Sequence, residues 1–385
     1  MWSSAGIRLG RVGGIAVDIH PTFALVLGWA AWQGWVHYRS LAGAGYSVLS
    51  IGLLFTCVLL HELGHALQAR AVNLPVRNLI LLPIGGLVQL ESNPSLPWHE
   101  VMVALTGPMV NLALALIFGL FAYLLQPFSP RGWGDYVLFR ATPGFHSLLL
   151  YLLWANLLLF FFNMLPAFPM DGGRVVRGAL AVLTDYETAT RVMAWLGGIV
   201  AALLVFLGVV GWPPAHIDAN PLLVVVAIAV AIGARQEVLY VRRQRALVRL
   251  EVGDVIHPPA EVLAPWDPVT HTLARQLRGD RALPVLVGSR LVGLVAGSDV
   301  RRLLHTHTEP LTVAHAMRAD FPVLQPRDTL WVALQEMTTA QMTVLPVVQE
   351  GVFAGVISMQ DIQNAWRYSA RRRTNTTFAS GDVLE

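Results

Sequence analysis

The segment from Tyr46 to Arg70 is apolar almost throughout, yet His61, Glu62 and His65 interrupt it with two imidazoles and a carboxylate. Without this turn the apolar run is shorter than the ~20 residues that a helix needs to cross a bilayer. Ionisable groups at membrane depth are costly to bury and mark functional sites. The segment is therefore predicted to be a membrane-spanning helix that carries a functional site.

The spacing of these three side chains is typical of zinc hydrolases. Histidines four residues apart differ by roughly 40° around a helix and by about 6 Å along it, so His61 and His65 can face one ion. Glu62 follows His61 directly. In the His-Glu-x-x-His pattern neutral imidazoles bind Zn²⁺ and the carboxylate is the general base. The alternative is a pair of packed core histidines beside a paired glutamate.

Composition places the whole chain in the membrane class. Of 385 residues 55% are hydrophobic and 13% are charged, and the mean hydropathy is +0.56. These values lie outside the range of soluble globular proteins. The fold class is predicted to be a multi-pass α-helical membrane protein followed by a soluble α/β domain. The spans, about six, are expected near residues 21–35, 46–70, 100–125, 147–169, 190–211 and 219–240.

The distribution of arginine predicts the orientation. All 27 basic residues are arginine, and those near the predicted span ends fall mainly on one side, whereas Arg39, Arg131 and Arg140 fall on the other. Because basic residues accumulate on the cytoplasmic side, both termini and the mouth of the metal site are expected in the cytoplasm. Neither half has the basic excess that phosphate contacts require, so a nucleic-acid partner is not expected.

Short strands are predicted near residues 6–19 and 79–91. Apolar residues alternate in the first stretch around a Gly-Gly pair, as in a hairpin. In the second, Pro83, Gly85 and Gly86 break any helix, and their β-favouring flanks indicate strands around a turn. Such a strand is expected to form an edge beside the metal.

Two histidines leave a catalytic zinc one protein ligand short, and Asp171 is the best candidate for the third. It follows the run from Asn163 to Met170, in which Pro166 and Pro169 break the fourth predicted span on the same side as the histidines. Broken helices at membrane depth occur where the backbone lines a cavity or is buried in protein. The alternative for Asp171 is a helix cap beside the Gly-Gly turn.

The last third of the chain contains an internal repeat. Leu283-Pro284-Val285 recurs as Leu345-Pro346-Val347, and Asp299 recurs as Asp361, at an offset of 62 residues. Two regular copies predict two packed α/β units. The domains are therefore expected to be a membrane domain over residues 1–245, a cytosolic tandem over 246–369 with copies near 250–306 and 312–369, and a flexible tail over 370–385.

Taken together, these motifs resemble the site-2 protease family of intramembrane zinc metalloproteases, in the subgroup with a C-terminal pair of CBS domains. The matching runs are His61 to His65, the Gly-Pro-x-x-Asn run of Gly107 to Asn111, and the run of Asn163 to Gly172. The resemblance implies that His61, His65 and Asp171 bind one Zn²⁺ and that Glu62 activates water. It also implies that Asn163 helps to hold the substrate or the developing oxyanion, and that the loop around Gly85 and Gly86 guides an extended substrate.

The repeat is similar to CBS pairs, which bind adenine nucleotides between their copies. The resemblance implies that Ser358, Asp361 and Asp299 contact ATP, ADP or AMP, although Ala296 stands where the first copy needs a hydroxyl. A structural role, or homodimerisation through the CBS pair, is the alternative.

The function expected from the family is hydrolysis of peptide bonds in or near transmembrane helices of membrane-tethered regulatory proteins within the lipid bilayer. A helix hides its carbonyls in internal hydrogen bonds, so a substrate must unwind, and pairing with an exposed strand would replace those bonds. Substrates with weak or already trimmed helices are expected. The alternative is a CBS-gated transporter or channel whose histidines form an ion site without proteolysis.

Overall fold

The computed structural model describes residues 6–83, 85–90, 96–125, 142–211, 219–259, 261–269, 282–306 and 311–379. It separates into two compact units, Met1–Leu239 and Tyr240–Glu385. The boundary expected between residues 245 and 246 falls inside a helix, Pro221–Val248, that begins in the first unit and ends in the second.

The first unit contains a four-stranded sheet made of β1 (Ile7–Val12), β2 (Ile15–Ile19), β3 (Val76–Leu82) and β4 (Gly85–Leu90). The strands lie in the order β1-β2-β3-β4, so that β4 is an edge strand. Strands β2 and β3 are parallel, and the other two pairs are antiparallel. The strands predicted near residues 6–19 and 79–91 are thus confirmed.

One face of this sheet packs on the helix that carries the His-Glu-x-x-His turn. Alternate residues Ile15 and Val17 of β2 and Leu79 and Leu81 of β3 are buried in one cluster with Ala66. Side chains alternate across a strand with a period of two, so these four point to the same face. The packing fixes the β3–β4 hairpin beside the histidines.

The helices of the first unit follow the predicted apolar segments. They are α1 (Phe23–Tyr38), α2 (Leu41–Ala71), α3 (Pro97–Leu125), α4 (Phe145–Asn163), α5 (Asp171–Leu183), α6 (Tyr186–Val209) and α7 (Pro221–Val248). Among the described residues, five of them (α2, α3, α4, α6 and α7) are long and apolar enough to cross a membrane. Helix α1 has 16 residues, or about 24 Å at helical rise, which is shorter than the ~30 Å hydrocarbon core.

The predicted span over 147–169 needs correction at its end. Helix α4 stops at Asn163, and residues 164–170 form an irregular loop that leads into α5, a short helix that lies between the predicted spans. Ala167 and Phe168 in this loop are buried, so the apolar run reflects burial in protein and not continued helix. Proline removes a backbone donor and clashes with the preceding turn, which accounts for the break.

In the second unit the predicted repeat is visible as two equivalent hairpins. Strands β5 (Ala282–Val287) and β6 (Arg290–Ala296) form one, and β7 (Val344–Gln349) and β8 (Val352–Ser358) form the other, each with an irregularity at the equivalent position. Each second strand leads into a helix, α8 (Gly297–Thr306) or α11 (Met359–Ala379), and α9 (Val313–Ala316) and α10 (Leu330–Ala340) lie between them.

Helix α11 extends into the segment expected to be a flexible tail. It runs to Ala379, so residues 370–379 are helical. Neither proline nor glycine occurs between Met359 and Ala379, and extending an existing helix avoids the cost of nucleation. Residues 380–385 lie outside the described residues.

Candidate metal centre

His61 and His65 lie on one face of α2 and turn their rings toward each other. Their Nε2 atoms are 3.1 Å apart, and the rings meet edge to face with centroids 4.7 Å apart. Both side chains are almost fully buried, at 8% and 11% exposure. The spacing of four residues therefore produces the convergence that the sequence predicts.

Two contacts from α3 fix the orientation of these rings. His61 Nδ1 lies 2.7 Å from Asn111 Oδ1, and His65 Nδ1 lies 2.7 Å from the carbonyl oxygen of Val103. Both oxygens accept hydrogen bonds, so each Nδ1 carries the proton and each Nε2 presents its lone pair. Hydrogen bonds of this kind commonly orient metal-binding histidines.

Asp171 reaches the same point from the N-terminus of α5. The preceding loop lies directly against the start of this helix, where a Cβ on Gly172 would lie 2.4 Å from the carbonyl oxygen of Met164 and one on Gly173 would lie 2.8 Å from that of Ala167. Only glycine permits so close an approach without displacing the loop. The Gly-Gly pair thus sets the position of Asp171 relative to the loop.

Asp171 Oδ2 is 3.3 Å from His61 Nε2 and 3.2 Å from His65 Nε2. Three acceptor atoms therefore converge within hydrogen-bonding distance, although their lone pairs repel unless a cation lies between them. Donors bound at 2.0–2.1 Å in a tetrahedron lie about 3.3 Å apart, which matches the three separations. The donor set and its dimensions fit a zinc ion, and the carboxylate side chain keeps 15% exposure.

Gly107 on α3 leaves the space that the two rings occupy. A Cβ there would lie 2.2 Å from His65 Nε2 and 2.8 Å from His61 Cε1. Val103, Gly107 and Asn111 are spaced four residues apart, and they form one face of α3 toward the histidines. The Gly-Pro-x-x-Asn run therefore supplies both room and a hydrogen bond for the metal-binding rings.

Glu62, the predicted general base, lies beneath the edge strand β4. A Cβ on Gly86 would lie 2.2 Å from Glu62 Cγ and 2.8 Å from its Cδ, so the strand backbone passes directly over this side chain. Gly85, at φ +142°, adopts a backbone conformation that side chains rarely permit. The structure thus brings the predicted substrate-guiding glycines next to the predicted base.

Asn163 is the last residue of α4 and is partly buried. The loop of residues 164–170 separates it from Asp171. The structure does not include it in the group of His61, His65 and Asp171, the metal-capable cluster found within the described ranges.

The sequence did not predict how the histidine rings are held. Asn111 was noted as part of a motif, but its contact with His61, 50 residues away in the chain, was missed. An asparagine inside an apolar helix, one that is fully buried here, was the available signal. The Val103 carbonyl gives no sequence signal, because every residue has one.

In the second unit, the candidate nucleotide residue Asp361 already has partners. Its Oδ2 accepts hydrogen bonds from the Ser358 hydroxyl and amide at 2.6 and 2.8 Å, and from His257 Nε2 at 3.0 Å. Burial acts to raise the pKa of Asp361, but these hydrogen bonds outweigh it and lower the pKa below its ordinary value. The pKa of His257 is raised, first by its bond to the Pro258 carbonyl and then by Asp361.

The equivalent aspartate of the first copy pairs with an arginine. Asp299, buried at 5% exposure, accepts bonds from Arg318 Nε at 2.8 Å and Arg318 Nη2 at 2.9 Å. The backbone of His257 forms a β-bridge with Val356, and that of Arg318 forms one with Leu294. Val356 and Leu294 are equivalent positions of the two copies. Each aspartate therefore pairs with a residue from the equivalent position of the other copy, His257 for Asp361 and Arg318 for Asp299.

Comparison with known proteins agrees with this architecture. The profile of peptidase family M50 matches residues 49–207, which include His61, His65 and Asp171, and the CBS domain profile matches residues 313–368. The chain therefore carries a peptidase M50 domain, the domain of site-2 proteases. A CBS domain follows it in the last third of the chain.

Relatives of this chain match it over nearly its full length. It is 28% identical over 365 residues to the zinc metalloprotease MJ0392 of Methanocaldococcus jannaschii, covering 93% of this chain and 95% of the relative. It is 26% identical over 371 residues to Rip3 of Mycobacterium tuberculosis, covering 92% and 91%. Among solved structures, the site-2 protease from Methanocaldococcus jannaschii matches 60% of this chain and 95% of its own at 29% identity, with a TM-score of 0.41.

Proposed function

We propose that this protein is an intramembrane zinc endopeptidase that hydrolyses peptide bonds in or near transmembrane helices of membrane-tethered regulatory proteins. One observation carries the proposal. Three oriented acceptor atoms, from His61, His65 and Asp171, meet beside a glutamate that lies under the edge of a sheet. A metal site, a base and a surface for extended peptide are thereby combined in helices that are apolar enough to span a membrane.

In this proposal His61, His65 and Asp171 hold one Zn²⁺. When bound, zinc would polarise the scissile carbonyl and make water a better nucleophile at neutral pH. Glu62 accepts a proton from the attacking water and delivers it to the amine that leaves, so that one water molecule is consumed for each bond broken. Gly86 holds the β4 backbone against this carboxylate and keeps bulk solvent away from one side of it.

The substrate is proposed to bind as an additional strand on β4. This strand lies at the edge of the sheet, and its Gly85 and Gly86 pair with Leu82 and Leu81 of β3 on the other side. An unwound segment that pairs with β4 regains the backbone hydrogen bonds it lost from its helix. Because β4 would recognise the backbone and not particular side chains, substrates whose helices unwind at low cost are favoured.

Asn163 is proposed to hold the substrate carbonyl or the developing oxyanion. Its place at the end of α4, where the chain leaves the helix toward Asp171, supports this role. A carboxamide supplies a neutral donor that strengthens as charge develops on the oxygen, as in other oxyanion holes.

The chain is proposed to lie in a prokaryotic cell membrane with both termini and the CBS pair in the cytoplasm. The support is the arginine excess on one side of the spans. With this orientation a substrate fragment released at the metal centre enters the same compartment as the CBS pair.

The CBS pair is proposed to regulate cleavage by binding an adenine nucleotide, ATP, ADP or AMP, or by homodimerisation. Ser358 and Asp361 lie at the start of α11 with a hydroxyl and a carboxylate in contact, and they would face phosphate and ribose. The first copy has Ala296 where the second has the Ser358 hydroxyl, so the second copy is the better candidate for the nucleotide. Calorimetry on the full-length protein tests this: absence of heat with all three nucleotides contradicts nucleotide control and leaves dimerisation.

Cleavage of a reporter transmembrane helix in liposomes tests the proposed function. Wild-type protein loaded with zinc should cleave the reporter, Glu62→Gln should bind zinc but not cleave, and Asp171→Ala should lose both zinc affinity and cleavage. Exchange at Arg191, an exposed residue of α6, to Met is the matched control and should cleave normally. Ion flux through the liposomes without cleavage would contradict the protease and support a channel.

A further inference from the structure

Two turns beyond Asp171, a buried arginine joins three helices of the first unit. Arg177 on α5 contacts Glu100 on α3 and Glu237 on α7, and its Nε donates to Glu100 Oε1 at 3.0 Å. The Arg177 side chain is 3% exposed and that of Glu100 is 7% exposed. Arg177 therefore lies inside the helix bundle.

Two aromatic rings complete the surroundings of this guanidinium. The Arg177 Cζ atom lies 4.8 Å from the ring centroids of both Phe168 and Tyr186. Phe168 is 1% exposed and lies in the loop that enters Asp171, while Tyr186 begins α6. Cation–π contacts of this kind favour a fixed position of the charge over each ring. Arg177 therefore holds the chain on both sides of Asp171.

The same arginine is connected to the histidines through α3. Glu100, Val103 and Gly107 are at positions i, i+3 and i+7, so they share one face of this helix. Val103 binds His65 through its carbonyl oxygen, and Gly107 makes room for both rings. Glu100 thus ties α5 to the face of α3 that holds the histidines, one turn away from the Val103 carbonyl.

Helices α5 and α3 pack closely next to this ion cluster. A Cβ on Gly178, next to Arg177, would lie 2.7 Å from Val101 Cγ2 and 2.8 Å from the Pro97 carbonyl oxygen, so α5 and α3 nearly touch. Apolar contacts alone would let two such smooth surfaces slide, whereas a guanidinium fork that meets two carboxylates fixes both rotation and depth. Buried ion clusters add little stability compared with apolar packing, so specificity of position is the stronger reason for this one.

We propose that Arg177 is a positioning residue for Asp171: it fixes α5 against α3 and α7 so that the Asp171 carboxylate completes the metal site begun by His61 and His65. The inference rests on the proposed role of Asp171 as a metal ligand. It predicts that loss of Arg177 impairs metal binding as loss of the Asp171 carboxylate does, even though Arg177 lies outside the metal-capable cluster.

The test measures metal binding in the purified full-length protein, independently of proteolysis. Zinc affinity is measured by competition with a chelator, and the visible absorption spectrum of bound Co²⁺ reports the ligand set. Asp171→Ala is the reference for a lost third ligand. Arg177→Met should lower zinc affinity about 10–100-fold, the usual range for residues that support metal ligands, and should give the Co²⁺ spectrum of the reference. Arg177→Lys keeps the charge without the guanidinium fork, and its zinc affinity should lie between those of wild type and Arg177→Met.

Removal of Arg177 alone leaves the buried carboxylate of Glu100 and the partly exposed carboxylate of Glu237 without their cation and endangers folding. The triple exchange Arg177→Met, Glu100→Gln and Glu237→Gln removes every charge of the cluster, and size-exclusion profile and near-UV circular dichroism check its fold. It should fold and still bind zinc about 10–100-fold more weakly than wild type. Arg191→Met is the control and should match wild type.

The outcomes separate the two proposals. Wild-type zinc affinity and Co²⁺ spectrum in the folded triple variant, with a clear defect in Asp171→Ala, would overturn the positioning role and leave the proposed function intact. Wild-type metal binding in Asp171→Ala would overturn the ligand assignment itself. Defects of the same kind in both variants support the inference.

Discussion

The Nδ1 atom of His61 lies 2.7 Å from Oδ1 of Asn111 on α3, a helix outside the cluster of His61, His65 and Asp171. This contact determines which nitrogen of the histidine faces the site. Asn111 is fully buried, and it comes one turn after Gly107, which leaves room for the same ring. Helix α3 is therefore as much a part of the metal centre as the helix that carries the histidines.

Exchange of Asn111 for leucine should weaken zinc binding by about 10–100-fold, because the His61 ring loses the acceptor that fixes its tautomer and orientation. Chelator competition on the folded protein measures the change. Asn156→Leu is the matched control, since Asn156 is equally buried but bonds the carbonyl oxygen of Leu152 on its own helix. Equal zinc affinities in the two variants would refute a role of Asn111 at the metal.

Gly107→Ala should also abolish tight zinc binding, for a steric reason. The new Cβ would lie 2.2 Å from His65 Nε2, so the rings or the helices must move apart. Zinc titration should show at least the 10–100-fold loss expected when ligand geometry is disturbed. The control is Gly119→Ala on the same helix, where the Cβ would lie 3.4 Å from Leu153 Cδ1 and fits with a small adjustment. Unchanged zinc affinity in Gly107→Ala would show that the rings do not need this space.

Gly86→Ala should separate zinc binding from catalysis. Its Cβ would lie 2.2 Å from Glu62 Cγ, and its three nearest atoms all belong to Glu62, so β4 and Glu62 must shift relative to each other. Misplacement of a catalytic group by about 1 Å costs on the order of 10²-fold in rate. We expect cleavage of a reporter helix to fall by about that factor while zinc affinity stays within twofold of wild type.

The control for this exchange is Gly52→Ala on α2, where an added Cβ meets nothing within 4 Å. Alanine also favours helix over glycine, so this variant should fold and cleave as wild type does. Full activity in Gly86→Ala would contradict the close relation of β4 to the base on which the edge-strand proposal depends.

The sequence predicts those parts of the fold that depend on local pattern. Alternation of apolar residues such as Ile15 and Val17 identifies strands, the spacing of His61 and His65 identifies one face of a helix, and the offset of 62 residues identifies two equivalent hairpins. In the first two cases the period of the strand or helix determines the spacing of the residues, and in the third the repeat itself is visible in the sequence.

Contacts between distant residues are what the sequence leaves undetermined. Hydropathy continues through Ala167 and Phe168 because they are buried in protein, and the same signal would come from residues in lipid, so the end of α4 was misplaced. The contacts of Arg177 could not be predicted because its partners lie far away in the chain, Glu100 at 77 residues and Glu237 at 60 residues. A single sequence shows that such charges exist but not that they meet.

The paired aspartates of the second unit differ in how they should respond to pH. The pKa of His257 is raised, so its interaction with Asp361 stabilises the fold below about pH 6.5, the ordinary value for histidine, and is lost as pH rises through the higher folded value. The pKa of Asp361 is lowered, so its contribution is present above about pH 4 and is lost only in stronger acid. Asp299 pairs with Arg318, which keeps its charge throughout this range.

Hydrogen–deuterium exchange of the full-length protein, corrected for the intrinsic effect of pH, should therefore show that the start of α11 near Asp361 loses protection between pH 5.5 and pH 8. The equivalent segment near Asp299 should keep its protection, which provides an internal control. Exchange of His257 for asparagine should remove the difference between the two pH values, because the remaining partner of Asp361, Ser358, does not titrate. Equal loss of protection at both aspartates would mean that the whole unit opens with pH and that the His257 contact is not the cause.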